Sequence, residues 1–225
     1  MSSIPNLEKL KLVHCEGISN FKFRVPKLES LSIIIGFNPD VESRWLAPHL
    51  ETIKVLCLDL DSMSWENVEV ASFPTAINLQ VIKLDSINFA NEKQVMGVLK
   101  LLQKSPNLCE LHITAIFLDD DIQDDDIQDD DIQYDDIQDV LLLLKDPDSC
   151  IVQDLKMLKT IKIRLSTIST VHMLFVKMLL SKSPTLENVV FLEKYSRHRQ
   201  YNDVTKFQRE LLCYPRASPK AQIVW

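Results

Sequence analysis

The sequence predicts an α/β solenoid of stacked strand-and-helix units with a cap at the C-terminal end. Three observations carry this expectation. A six-residue pattern, apolar-x-x-apolar-x-apolar, occurs seven times: LEKLKL from Leu7, LESLSI from Leu28, LETIKV from Leu50, LQVIKL from Leu79, LCELHI from Leu108, LKTIKI from Leu158 and LENVVF from Leu186. Successive starts lie 21, 22, 29, 29, 50 and 28 residues apart, so only one spacing is anomalous. Between the later patterns, apolar residues recur at helical spacing. A single strand-and-helix unit cannot bury its apolar strand face, so such units stack on their neighbours.

Six of the seven patterns end apolar-polar-apolar, the alternation of a half-buried strand, and the seventh has Val190 in the middle place. Five of the seven carry Pro two residues upstream (Pro5, Pro26, Pro48, Pro106 and Pro184), which biases the chain toward an extended state. The fourth unit places Val95, Val98, Leu99 and Leu102 on one helical face, and the sixth does the same with Val171, Leu174, Phe175 and Met178. Both helices run into Lys-Ser-Pro, at 104–106 and 182–184, where Pro stops them. The fifth unit has VLLLL from Val140. Further on, NDVTKFQRELL from Asn202 reads as a capped helix with Val204, Phe207 and Leu211 on one face. Pro215 and Pro219 break it, and residues 223–225 close the chain as a last short strand. This helix and strand form the cap that a stacked array needs over its final apolar face.

The anomalous gap contains DDDIQDDDIQDDDIQYDDIQD at 119–139, with twelve Asp among twenty-one residues. Its Ile residues (122, 127, 132 and 137) recur every five positions. On a helix each is turned about 140° from the last, and on a strand they alternate faces, so no common apolar side forms. Dense like charge without a buriable face predicts a disordered insertion. Subtracting its twenty-one residues from the gap of 50 leaves 29, the local period.

The 225 residues, 46% apolar and 25% charged, suffice for a sizeable core. The formal charge is −7, but without the tract's twelve Asp the chain holds 25 Lys and Arg against 20 Asp and Glu, or +5. Five scattered Cys, without a CxxC pair or a secretory apolar segment, imply reduced thiols in the cytoplasm or nucleus. His14 and Cys15 lack a second ligand pair at zinc spacing. No apolar run approaches the roughly 18 to 20 residues of a membrane span, so no membrane partner is expected. The three Gly (17, 36 and 97) form no phosphate-binding loop, and no nucleophile, base and orienting group stand at motif spacing. The acidic tract lacks the Gly and Glu of an EF-hand loop. The expectation is a non-catalytic chain without cofactor or metal. KYSRHRQY at 194–201 interleaves basic and aromatic residues but reads as a solvated loop, so nucleic acid is not an expected partner.

The pattern and its spacing resemble leucine-rich repeats, the family whose parallel sheet lines the concave side of a horseshoe. Cys15 fits the cysteine variant of the residue after the strand, whereas Ile87 and Ile116 depart from the usual asparagine. The stretch LKTIKI…FVKMLLSKSPTLENVVF…FQRELLCYPRASPKAQI, from Leu158 to Ile223, resembles the FBD domain that closes plant F-box/leucine-rich-repeat proteins. Ser169, Thr170 and His172 stand where members often carry Gly and an acidic residue. These resemblances divide the chain into leucine-rich repeats at 1–154, holding the insertion, and an FBD-like C-terminal part at 155–225. They imply the target-recognition part of a ubiquitin ligase adaptor, or a stand-alone scaffold or decoy. Met1 lies six residues before the first repeat, so no F-box is expected in this chain, and a Skp adaptor is a partner only where a longer isoform supplies one.

If the apolar positions face inward, the residue between the last two points to the concave surface. Those residues are Lys11, Ser32, Lys54, Lys83, His112, Lys162 and Val190, four of them Lys. Flanking columns add Lys9, Glu110, Asp85 and Arg164. The expected partner-binding set is Lys11, Lys54, Lys83, His112, Lys162 and Arg164, suited to an acidic or phosphorylated protein segment.

Overall fold

Alternating side chains become strands only where a neighbour completes their backbone hydrogen bonds, and here each strand finds that neighbour in the next unit of the chain. A computed structural model describes residues 2–13, 23–34, 41–42, 46–64, 74–115, 132–145, 153–165, 168–192 and 201–225. Eight strands form one parallel sheet in strict chain order: β2 (Lys9–Val13), β4 (Ser30–Ile34), β6 (Val55–Asp59), β8 (Val81–Ile87), β9 (Glu110–Ala115), β10 (Thr160–Leu165), β11 (Asn188–Phe191) and β12 (Gln222–Val224). Two-residue strands pair beside it, β1 (Ser2–Ser3) with β3 (Phe23–Arg24) and β5 (Val41–Glu42) with β7 (Met63–Ser64). Among the described residues the helices are α1 (Ala47–Leu50), α2 (Glu92–Gln103), α3 (Ile132–Lys145), α4 (Thr170–Lys182) and α5 (Tyr201–Cys213), with a 3-10 turn at Leu60–Ser62. The fold is therefore α/β with an all-parallel eight-stranded sheet. Among the described residues no helix is long and apolar enough to cross a membrane.

One face of the sheet is the core. Leu31, Leu56, Ile82, Leu111, Ile161 and Val189 are in register across six strands, and all are buried. Two residues on, Ile33, Leu58, Leu84, Ile113, Ile163 and Phe191 form a second buried row. Burying each such side chain contributes about 1.5–3 kcal/mol, and removing one leaves a cavity as well. The helices cover these rows, with α3 packing against α2 and α4, and α4 against α5. In α4 the buried residues lie all round the helix, from Val171 and Met173 to Phe175 and Leu179, because it is packed from more than one side.

The units repeat in their backbone bonding too. The carbonyls of Glu8, Glu29, Lys54, Gln80, Cys109 and Lys159 each accept two successive N–H groups of the next unit, at 2.7–3.2 Å. A side-chain ladder runs through the preceding turns: Asn78 Nδ2 donates to the Glu51 carbonyl, Asn107 Nδ2 to Ile77 and Thr185 Oγ1 to Lys156, each at 2.7 Å. Lys-Ser-Pro has its own place in this scheme. The carbonyls of Lys104 and Lys182, at the two helix ends, accept the N–H groups of Ala76 and Leu155 at 2.7 Å. These bonds satisfy end carbonyls that the helices leave open.

The recurring carbonyl shows that the third unit starts at Ile53, not Leu50. Lys54 is the residue equivalent to Glu29 and Gln80, and the buried set is Ile53, Leu56 and Leu58. Leu50 and Pro48 belong to α1, where Pro occupies the first turn and needs no N–H partner. The expected insertion at 119–139 also differs. Residues 132–139 are the start of α3, while 119–131 lie outside the described residues. Val140 and Leu144, both buried, anchor this helix, and extension toward the N-terminus is cheap once a turn has formed.

At the C-terminal end β12 pairs in parallel with β11, as the sequence predicts. The helix α5 begins at Tyr201, so Asn202 lies within it rather than capping it. Trp225 stacks on Phe191 with centroids 4.2 Å apart, and Phe207 meets both edge-on at 5.6 and 5.9 Å. The Pro-Arg-Ala-Ser stretch fastens this end: Ala217 N–H donates to Leu180 at 3.1 Å and Ser218 Oγ to Leu186 at 2.6 Å.

Candidate functional site

Opposite the buried rows, the alternate residues of each strand form an open face. Its central row follows the register Lys11, Ser32, Cys57, Lys83, His112, Lys162, Val190 and Val224. Lys11 is exposed, and Ser32 through Val190 are half-buried. The strands thus bring five expected residues onto this face: Lys11, Lys83, His112 and Lys162 in the central row, and Arg164 two residues beyond Lys162, opposite Thr114. Lys54 is not among them. It precedes β6, and its Nζ donates to Glu29 Oε1 at 2.7 Å, within a ladder of turn residues.

Cys57 takes the place expected for Lys54. Both Leu50 and Ile53 start an apolar-x-x-apolar-x-apolar pattern, and IKVLCL was the signal that could have located Cys57. Its thiol sits between Ser32 and Lys83. Burial pushes its pKa up, with Asp85 adding to the shift and Lys83 and Lys11 opposing it. The thiol therefore stays protonated at neutral pH and is a poor nucleophile.

The positive charge is unevenly available. Glu110, in the row beside the central one, accepts from Lys162 Nζ and from His112 Nε2, both at 2.6 Å on the same oxygen. Hydrogen bonding from Lys162 first, then His112, holds its carboxyl below the usual carboxylate range. Lys162 is thus neutralised within the sheet. Lys11, Lys83 and Arg164 have no hydrogen-bond or ion-pair partner among the described residues. Beyond Lys83 the face turns acidic, with Asp59 and Asp85 side by side on β6 and β8. A bulge between Leu84 and Ile87 shifts the register here, and Ser86 takes a left-handed conformation with φ of 59°. No group of three His, Cys, Asp or Glu that could hold a metal occurs among the described residues.

Ser169 and His172 are structural, closing the start of α4. His172 Nδ1 accepts the Ser169 N–H at 3.2 Å and lies 2.8 Å from Ser169 Oγ, closing the helix start. Burial lowers its pKa to about 4, so it is neutral here. His14, Cys15, Cys150, Ile116 and most of the basic-aromatic segment at 194–201 lie outside the described residues. No protein-family model, no curated protein and no solved structure matches the chain.

Proposed function

We propose that the chain is a leucine-rich-repeat solenoid acting as a non-catalytic protein-interaction module, with the open face as its concave binding surface. The observation that carries this is the strand order: eight parallel strands in chain order, with the same doubly accepting carbonyl at six of their seven junctions. Such an array offers a long row of side chains that no single strand orders alone. The FBD-like part at 155–225 supports the target-recognition role within an F-box-type ubiquitin ligase adaptor. A Skp adaptor is a partner only where a longer isoform supplies an F-box. The division at 155 follows resemblance rather than packing, since β9 and β10 pair along their whole length.

The test is affinity capture with three purified chains: the natural sequence, the double variant Lys83→Glu with Lys162→Glu, and Lys93→Glu on the exposed side of α2. Partners retained by the first and third but lost by the second place recognition on the open face. Equal retention by all three overturns the proposal.

A further inference from the structure

The central row carries more information than its net charge. Lys11 and Lys83 are its two unpartnered cations, and they stand three strands apart, with Ser32 and Cys57 between them. Three strands further lies Val190, half-buried, beside Val224, which is 45% exposed. Parallel strands are about 4.8 Å apart, so each interval is about 14 Å, the length of four residues of extended chain at about 3.4 Å per residue. Between Lys83 and Val190 the row is less favourable to a further anion, because Glu110 already pairs with Lys162 and lies 2.6 Å from His112.

We propose that the partner segment is an extended acidic peptide lying across the strands, with two carboxylates four residues apart over Lys11 and Lys83, and an apolar side chain four residues further over Val190. This rests on the open face being the binding surface and specifies what that surface reads. Carboxylates fit better than phosphate. Each position offers a single ammonium rather than a guanidinium fork, and Asp85, two residues from Lys83, repels a dianion more than a monoanion. The half-buried Ser32 and Cys57 leave low, uncharged ground between the two anchors.

Cys57 supplies a positional readout, since a peptide spanning Lys11 to Lys83 must pass over it. The probe is a nine-residue peptide with Asp first and fifth, Leu ninth and Ser elsewhere, made also in reversed order to allow either chain direction. One control has the same composition with Asp first and third. Another carries phosphoserine in place of the fifth-position Asp. Alkylation of Cys57 in the full chain by N-ethylmaleimide is followed by mass spectrometry, with exposed Cys213 as internal reference. At ten times the Kd, the spaced peptide slows Cys57 alkylation about tenfold, because only about a tenth of the sites remain open. Cys213 is unaffected. The misspaced control, and Lys11→Gln or Lys83→Gln with the spaced peptide, bind about twofold to fivefold weaker, the range of one exposed ion pair. Unchanged unfolding curves show that these variants keep their fold.

Equal binding of the spaced and misspaced peptides, or binding without protection of Cys57, overturns the proposal. Tighter binding of the phosphoserine peptide overturns the choice of carboxylate. If capture depends on the open face while the spaced peptide fails, only this inference falls. Capture that ignores the open face removes the reading beneath it.

Discussion

Lys162 on β10 holds its Nζ 2.6 Å from Oε1 of Glu110 on β9, fifty-two residues earlier in the chain. Both side chains are about one-third exposed, at 36% and 32%, so water screens the pair and its worth is at most about 1 kcal/mol. Glu110→Gln is expected to lower stability by no more than that at pH 7. The folded-state pKa of Glu110 lies below the unfolded value, so its contribution is present above pH 4.5 and is lost as pH falls through the folded pKa. Urea unfolding at pH 7 and pH 3 checks this: the difference between the natural chain and the variant should shrink at the lower pH.

His172 gives a second acid-sensitive term in a different window. Its pKa is about 4 in the folded chain against 6.5 when unfolded, so the unfolded state binds more protons between these values. Stability is full above pH 6.5 and falls toward pH 4, by roughly 3 kcal/mol at most. His172→Gln keeps a side chain that can close the capping box but does not titrate. The variant should show a flatter dependence of unfolding free energy on pH between 6.5 and 4. An unchanged slope would exclude His172 as its source.

The turn ladder is interrupted at Met157, which cannot donate a hydrogen bond and is 44% exposed. Met157→Asn restores the residue type found at Asn78 and Asn107 and should stabilise the chain by about 0.5–1 kcal/mol. Asn107→Ala, which removes the donor to Ile77, should cost a similar amount. Chemical denaturation of both variants measures the pair of effects, and the same sign for both would argue against the ladder.

Ser86 holds φ of 59° at the bulge, where a side chain with Cβ is strained by about 1 kcal/mol or more. Ser86→Gly should be neutral or stabilising by up to about 1 kcal/mol, and Ser86→Val destabilising by about 1–2 kcal/mol. Thermal unfolding ranks the three chains. Loss of stability in the Gly variant would mean that the Ser86 side chain contributes more than the strain costs.

The alternating and helical periods already determined the core strands, the helices α2 and α4 and the final strand, because Leu, Ile and Val at those spacings gather on a face that must be buried. They also placed Lys11, Lys83, His112 and Lys162 in one row, since side-chain direction follows from alternation within each strand. Three matters needed the tertiary structure. Leu50 and Ile53 begin equally good patterns, and only pairing of Leu56 with Leu31 and Ile82 selects Cys57 over Lys54 for the open face. The stretch from Ile132 to Asp139 has no helical signal of its own, yet it continues a helix anchored by Val140 and Leu144 against the rest of the core. And Lys162 is a free cation by its local sequence, until β9 places Glu110 within hydrogen-bonding distance. Local periods report which way a side chain points, whereas register and charge pairing depend on a neighbouring strand that lies far away along the chain.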